Sequence, residues 1–426
     1  MDIGGTFTDI ATLAPDGTVA TRKLLSTPDD YSDGVLHGLL AHLQRRTLGP
    51  QDIDEVLHAC TVATNTVLEA KGARTALITT RGFRDVLELR RTRIPRLYDL
   101  LYRLPEPLVP RRLRLEVSER VDAQGNVLTP LNAADVDRAV QVLRAADVSA
   151  IAVCLLHSYA NDAHERAIGR AVEAQLPGCF VSLSVDVLPQ MYEYERTSTA
   201  VINAYVGPPV EHYLRSLIRR LREAQVTGRL MVMQSSGGIL DVASVVRKPA
   251  AIVECGPAAG VIGAAVVGDM LGEPNLISFD MGGTTAKVSV IKDGQVGIST
   301  DHEVGSVESG SVATPLVGGG GHALKLPAVD IAEIGAGGGS MAHLDKAGRL
   351  KVGPQSACAA PGPVCYGAGG RDPTVTDANV VLGFLNPTSI AGGAVPIDLA
   401  AAERAVASLA ESAGRDPMQT ARGIHE

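Results

Sequence analysis

The sequence predicts an α/β fold built as two duplicated lobes, and three observations predict it. Apolar, β-branched runs of strand length alternate with longer stretches that carry apolar residues at helical spacing. A short device of acid, spacer, two glycines and threonine occurs twice, in "MDIGGTFTDIATLAPDGTV" from residue 1 and in "FDMGGTTAKVSVIKDGQV" from residue 279. The composition suits aliphatic, small-residue cores: 45% of the 426 residues are hydrophobic, 3% are aromatic and tryptophan is absent. A chain of this length has room for about three domains of ordinary size.

Taken in order, "TALITT" (Thr75–Thr80) and "SAIAVCLL" (Ser149–Leu156) read as buried strands, short and apolar with turn or polar residues beyond. Leu131–Asp147 carries apolar residues at helical spacing behind an Asn132 cap and reads as an amphipathic helix. Asn161–Gly178 is another, stopped by Pro177 and Gly178. From about Val185 the pattern restarts. Glu195–Ala224 reads as largely helical, interrupted by a Gly-Pro-Pro break at Gly207. Arg229–Ile239 is a strand running into a glycine turn, Pro257–Leu271 a small-residue helix, and Asn275–Asp280 a strand ending on Asp280. Glycine-rich loops with short strands fill Gly318–Gly370. The expected lobes are 1–185 and 186–426.

Composition also excludes. The 45 glycines follow no repeating period, so the chain is neither collagen-like nor of low complexity. No apolar run is long enough to cross a membrane and no leader-like signal precedes the first device. A net charge of −8 argues against a nucleic-acid partner. The six cysteines show no C-x-x-C pairing, and the expectation is reduced thiols in a cytoplasmic protein. Cys358 and Cys365 flank the loop "SACAAPGPVCYG", at a spacing that fits no common zinc pattern.

The repeated device carries the chemistry. Asp2 precedes Asp16 by 14 positions (16 − 2), and Asp280 precedes Asp293 by 13 (293 − 280), so both copies run from acid through strand to an Asp-Gly turn. An aspartate at a strand's end projects its carboxylate from the sheet. Two glycines open backbone angles closed to other residues and let main-chain N–H groups approach a ligand. Such a turn is a nest of donors for phosphate oxygens, and the adjacent acid suits Mg²⁺, which takes one or two carboxylates plus phosphate. A lone Asp-x-Gly-Gly is also a common hairpin. The pair argues for two facing lobes that hold one nucleotide's phosphates between them.

Paired phosphate turns of this kind resemble the actin, sugar-kinase and heat-shock-protein superfamily, whose ribonuclease H-like lobes clamp ATP over a cleft. Within it the chain is similar, from end to end, to the hydantoinase A/5-oxoprolinase family. The stretches that carry the resemblance include "DIGGTFTD", "TVATNTVLEAKGARTALITTRGFRDVLE", "ERTSTAVINAYVGP", "SFDMGGTTAK", "DIAEIGAGGGS", "VGPQSACAAPGPVCYG" and "PTVTDANVVLG". The resemblance implies ATP and Mg²⁺, with Asp2 and Asp280 as metal-holding and catalytic acids. It implies Gly4, Gly5 and Thr6 as the first phosphate turn, and Gly282, Gly283, Thr284 and Thr285 as the second. It implies hydrolysis of a cyclic amide such as a hydantoin or 5-oxoproline, with a B-type partner subunit or domain completing ring opening. Rival readings are a ketone carboxylase subunit, a small-molecule kinase and an ATP clamp without chemistry of its own. The first strand is represented by Met1 alone, and the family continues beyond "ARGIHE", so the expectation is a fragment with an incomplete second lobe.

Several residues depart from the family pattern or stand apart from it. Lys287 occupies the place of Asp9 in the first copy, where many relatives carry aspartate; it is expected to reach a phosphate oxygen, to pair with an acid such as Asp9, or to be solvated. Cys60, in "HACT", replaces a hydroxyl residue. "GAGGGS" (Gly335–Ser340) follows a strand, but the hairpin-like "MAHLDKAGRLKVG" behind it excludes a dinucleotide fingerprint. Either it lines the cleft or it is a plain turn, and "VGGGGHALK" carries the same ambiguity. The arginine-rich stretch Leu89–Glu116 is a contact for a partner subunit or an anionic substrate, or a solvated face. Glu195 and Arg196 position substrate, bridge the lobes or cap a helix. His157, His164 and Glu165 follow a strand end, and Asp330, Glu333, His343 and Asp345 are a loosely spaced metal candidate.

Overall fold

The computed structural model describes residues 1–4, 6–27, 31–92, 98, 102–305, 320–335 and 337–426. Strands β1 (Asp2–Ile3), β2 (Phe7–Leu13) and β3 (Val19–Leu25) form an antiparallel meander. Helix α1 (Tyr31–Arg45) then leads to β4 (Glu55–Cys60), which lies parallel to β1. From there the chain leaves for a second, parallel sheet through helix α2 (Val62–Leu68). That sheet holds β5 (Thr75–Thr80), β6 (Arg114–Val117), β7 (Ala150–Cys154) and β8 (Phe180–Leu183), in the order β8-β7-β5-β6. Helices α3 (Ala133–Ala145) and α4 (Ala163–Gln175) make the crossovers.

Helix α5 (Glu193–Glu223) carries the chain back, and β9 (Arg229–Met233) pairs parallel with β4 while β10 (Ile239–Asp241) closes that edge. The first sheet therefore reads β10-β9-β4-β1-β2-β3. Helix α6 (Cys255–Leu271) leads to the second device, an antiparallel set of β11 (Leu276–Met281), β12 (Ala286–Lys292) and β13 (Gln295–Val296). Strands β14 (His302–Val304) and β15 (His322–Leu324) pair with each other, and β16 (Ala332–Ile334) returns to β12. The hairpin β17 (Ser340–Leu344) and β18 (Leu350–Ser356) follows, then helices α7 (Val375–Val381), α8 (Leu399–Ala413) and α9 (Pro417–His425).

Most of these elements sit where hydrophobic period and caps place them. β5 coincides with "TALITT", and Asn132 caps α3 by accepting from the N–H groups of Ala134 and Asp135. One expectation is corrected. Helix α5 runs through Pro208 and Pro209 without ending, because every residue from Arg196 to Gly207 is buried and packing outweighs the lost hydrogen bond. A Cβ on Gly207 would lie 2.6 Å from the Phe180 ring, so this glycine serves close packing and not a break. β9 and β10 belong to the first sheet, since β4 has a pairing edge that residues nearby in sequence do not fill.

Two cores hold this arrangement. Ile3, Ile10, Leu39, Leu214 and Val232 pack under the first sheet, and Leu77, Ile78, Ile151, Val140 and Ile168 under the second. One face of the β11–β12 pair stays open, with Ile277, Phe279 and Val290 each more than 60% exposed. No helix among the described residues is long and apolar enough to cross a membrane.

Candidate functional site

The two devices fold as the same hairpin, in the same register. Asp2 stands opposite Asp9 in the first, and Asp280 opposite Lys287 in the second. The Gly4 N–H donates to Phe7 O at 2.9 Å; the Gly282 N–H donates to Thr285 O at 3.0 Å. An identical tight turn thus follows each aspartate. Gly5 lies outside the described residues.

The turns meet. A Cβ on Gly283 would collide with Thr6 Oγ1, so the missing side chain lets one turn rest on the other. Helix α6 packs on β4 and β9 of the first sheet and on β11 and β12, and its first turn abuts Asp2: a Cβ on Gly256 would lie 2.9 Å from Asp2 Oδ1. Asp2 Oδ1 and Thr6 Oγ1 are buried and have no hydrogen-bond partner among the described residues. Burial, opposed by His58, pushes the Asp2 carboxyl up to about 6. Asp280 and Thr284, in the second device, are exposed.

"GAGGGS" braces the second turn. The Gly338 N–H donates to Gly282 O at 2.9 Å and the Gly339 N–H to Gly283 O at 2.6 Å, while Ser356 Oγ donates to Gly283 O at 3.3 Å. A Cβ on Gly337 would lie 2.7 Å from the Thr284 carbonyl carbon. The carbonyls are held from behind by rigid backbone.

Lys287 neither pairs with Asp9 nor stands in solvent. Its Nζ lies 3.6 Å from Glu333 Oε1 with 13% of the side chain exposed, because β16 sets Glu333 directly opposite it. Asp9 pairs instead with Lys23, its cross-strand partner on β3, at 2.6 Å. Two residues that sequence reasoning missed complete the surroundings. Glu254, just before α6, is 8% exposed, and its Oε2 lies 3.5 Å from His302 Nε2 on β14. The 48 positions between them (302 − 254) hold no spacing signal; only the fold brings them together.

Other candidates resolve as structure. Arg196 is fully buried, donating to Ser158 and Ser184 hydroxyls and to Leu155 O, with Glu165 3.6 Å away. Glu195 accepts from Arg91 Nε at 2.7 Å and His164 Nδ1 lies 2.8 Å from Glu119 Oε2. His157 Nδ1 lies 3.1 Å from Tyr159 Oη. Arg111 and Arg114 pair with Asp85 and Glu88; Arg93, Arg96 and the first three residues of "VGGGGHALK" lie outside the described residues, and His322–Leu324 of that stretch form β15. Cys60 donates its N–H to Cys255 Sγ at 3.3 Å, and the six cysteines are free thiols.

Among the described residues no group of three or more His, Cys, Asp or Glu could hold a metal ion, so the Asp330, Glu333, His343 and Asp345 cluster does not form; Asp345 instead caps its own hairpin turn. Mg²⁺ does not need such a cluster. The unpartnered Asp2 Oδ1 and Thr6 Oγ1 fit an ion that takes its remaining ligands from phosphate and water.

Comparison with known proteins agrees on what this arrangement belongs to. The caprolactamase subunit alpha of Pseudomonas jessenii is 35% identical over 431 residues, covering 100% of this chain and 60% of the relative. The solved nucleotide-free structure of acetone carboxylase superposes with a TM-score of 0.83 at 29% identity, covering 99% of this chain and 60% of that one. The solved structure of the ATP-dependent caprolactamase from Pseudomonas jessenii gives 0.77 at 34%, with the same coverages of 99% and 60%. The chain thus spans 60% of the length of each of these relatives. The family model described as Hydantoinase/oxoprolinase matches residues 196–426, and the Hydantoinase/oxoprolinase N-terminal region matches 1–176. The two matched hairpins and these two matches together place the chain in the hydantoinase/oxoprolinase family.

Proposed function

We propose that this chain is the ATP-binding part of an enzyme that hydrolyses a cyclic amide, and that it activates the amide carbonyl by phosphorylation. One observation carries the reading: the turns after Asp2 and Asp280 are alike in register and hydrogen bonding, and they touch at Thr6 and Gly283. Two actin-like lobes, each giving one turn, would hold a single triphosphate between them.

An unactivated lactam carbonyl is a poor electrophile. A phosphoryl group on its oxygen makes the carbonyl carbon a far better electrophile. Water adds to it, the C–N bond breaks as a proton passes to nitrogen and the ring opens, and the acyl phosphate left behind is hydrolysed to carboxylate and phosphate. The chain's own contribution is positioning and charge. Backbone N–H groups of the glycine turns and the Thr6 and Thr284 hydroxyls would orient the phosphates. Asp2 and Asp280 would hold Mg²⁺, which supplies positive charge against the transferring phosphoryl group. Lys287 stands opposite Asp280, where its ammonium would reach a phosphate oxygen. Ring opening is assigned to a B-type partner, in keeping with a relative named as a subunit.

A ketone carboxylase is the second reading, favoured by the TM-score of 0.83 to acetone carboxylase. ATP turnover by the full-length protein with hydantoin, 5-oxoproline, a larger lactam, acetone or acetophenone separates the two. Stimulation by a cyclic amide supports the proposal; stimulation by ketones alone replaces it; indifference to all of them leaves a clamp. In the same assay Lys287→Met is expected to raise the KM for ATP about tenfold, and an unchanged KM removes its phosphate role.

A further inference from the structure

Beside the two turns stand Glu254 and His302, which phosphate binding leaves without a task. Glu254 adopts φ 65° and ψ 27°, a left-handed conformation that a residue with a Cβ holds only when its surroundings impose it, and that concentrates at functional sites. Its N–H donates to Thr64 Oγ1 at 2.8 Å, fixing the backbone against the start of α2. Its Oε2 lies 3.5 Å from His302 Nε2, too poorly aimed for a hydrogen bond, so that nitrogen has no hydrogen-bond partner among the described residues. Lys287 and Glu333 complete the group, Nζ to Oε1 at 3.6 Å. Burial alone would raise the Glu254 carboxyl and lower the His302 imidazole. The attraction between them, helped by Lys287 near Glu254 and by Glu333 near His302, reverses both shifts and favours a carboxylate beside an imidazolium.

The position matters as much as the charge. Glu254 sits two residues before Gly256, which abuts Asp2, and it faces Lys287, whose strand partner is Asp280. We propose that Glu254, held in place by His302, is the proton acceptor of the phosphoryl-transfer step. The proposal rests on the cyclic-amide reading above and deepens it. As the carbonyl oxygen bonds to the γ-phosphorus, the bond from that phosphorus to the ADP oxygen breaks and ADP leaves. The neighbouring amide N–H bond then breaks, its electron pair forms the C=N bond of an O-phosphorylated imidate, and the proton passes to Glu254. Phosphorylation on oxygen makes that N–H strongly acidic, so a carboxylate kept ionised by an imidazolium is base enough. His302 acts through Glu254 and is a positioning residue.

The test uses the full-length protein with any copurifying subunit, and reads ATP turnover stimulated by the cyclic amide that works on the wild type. Glu254→Gln is expected to lower the stimulated kcat by about 10²–10⁴-fold. Its Kd for Mg–ATP and its Tm should stay near those of the wild type, and His302→Gln should cost less. Glu254→Ala should regain part of its turnover in formate, a small carboxylate that fits the space left, while the wild type does not respond. A purely structural Glu254 would instead lower Tm or nucleotide affinity and ignore formate, and either result overturns the proposal. A Glu254→Gln enzyme of near-normal kcat overturns it too, and leaves the cyclic-amide reading standing. A wild type that no cyclic amide stimulates overturns both.

Discussion

Asp2 is a carboxylic acid whose surroundings oppose its charge. Its pKa stands at about 6 against 3.8 for the unburied group, with burial the main cause. The sign follows from linkage. A carboxyl raised in the folded state takes up a proton on folding, so its contribution is fully present below 3.8 and is lost as pH rises through about 6. Asp2→Asn lacks that loss. The Tm of the variant minus that of the wild type should be near zero at pH 4 and positive above pH 6 in the absence of Mg–ATP, with ATP turnover abolished. A difference that does not change with pH would show that Asp2 is not a strained acid. This aspartate and its partner were legible in the sequence because the device occurs twice. Glu254 and His302 were not, since a lone glutamate before Cys-Gly-Pro and a lone histidine on a short strand look like any other surface pair.

Each hairpin depends on its neighbours for rigidity. The second turn rests on Gly337, Gly338 and Gly339, and the contact from Gly337 is to backbone, which cannot swing aside. Gly337→Ala should therefore shift the turn, costing about 1–3 kcal/mol in stability and raising the KM for ATP. Gly263→Ala, inside α6 with nothing within 4 Å of the added carbon, is the control and should be neutral or stabilising by about 0.5–1 kcal/mol. Thermal melts and ATP kinetics on both variants check this, and equal effects would deny the brace. The sequence left "GAGGGS" as a cleft-lining loop or a plain turn ahead of a hairpin; its place against Gly282 and Gly283 was hidden, because the contacts are backbone to backbone and leave no side-chain pattern. Helix α5 was legible in its extent but not in its continuity through Pro208 and Pro209, since tertiary burial overrode a local rule.

Across the whole molecule, the alternation of strand and helix revealed the α/β class, and local strands such as Thr75–Thr80 were placed correctly. Sheet order was another matter. β9 joins β4 after an excursion of nearly the whole second sheet, and no periodicity encodes which edge a strand will choose. The same non-local pairing lets α6 touch both the first sheet and the β11–β12 pair, with Gly256 at Asp2 and its other end against β11. The proposed function has both turns grip one nucleotide at once. A structure of the full-length protein with Mg²⁺ and a non-hydrolysable ATP analogue measures that directly. The triphosphate should lie between Gly4 and Gly282, its metal beside Asp2. Phosphates bound to one turn alone, or away from both, would contradict it.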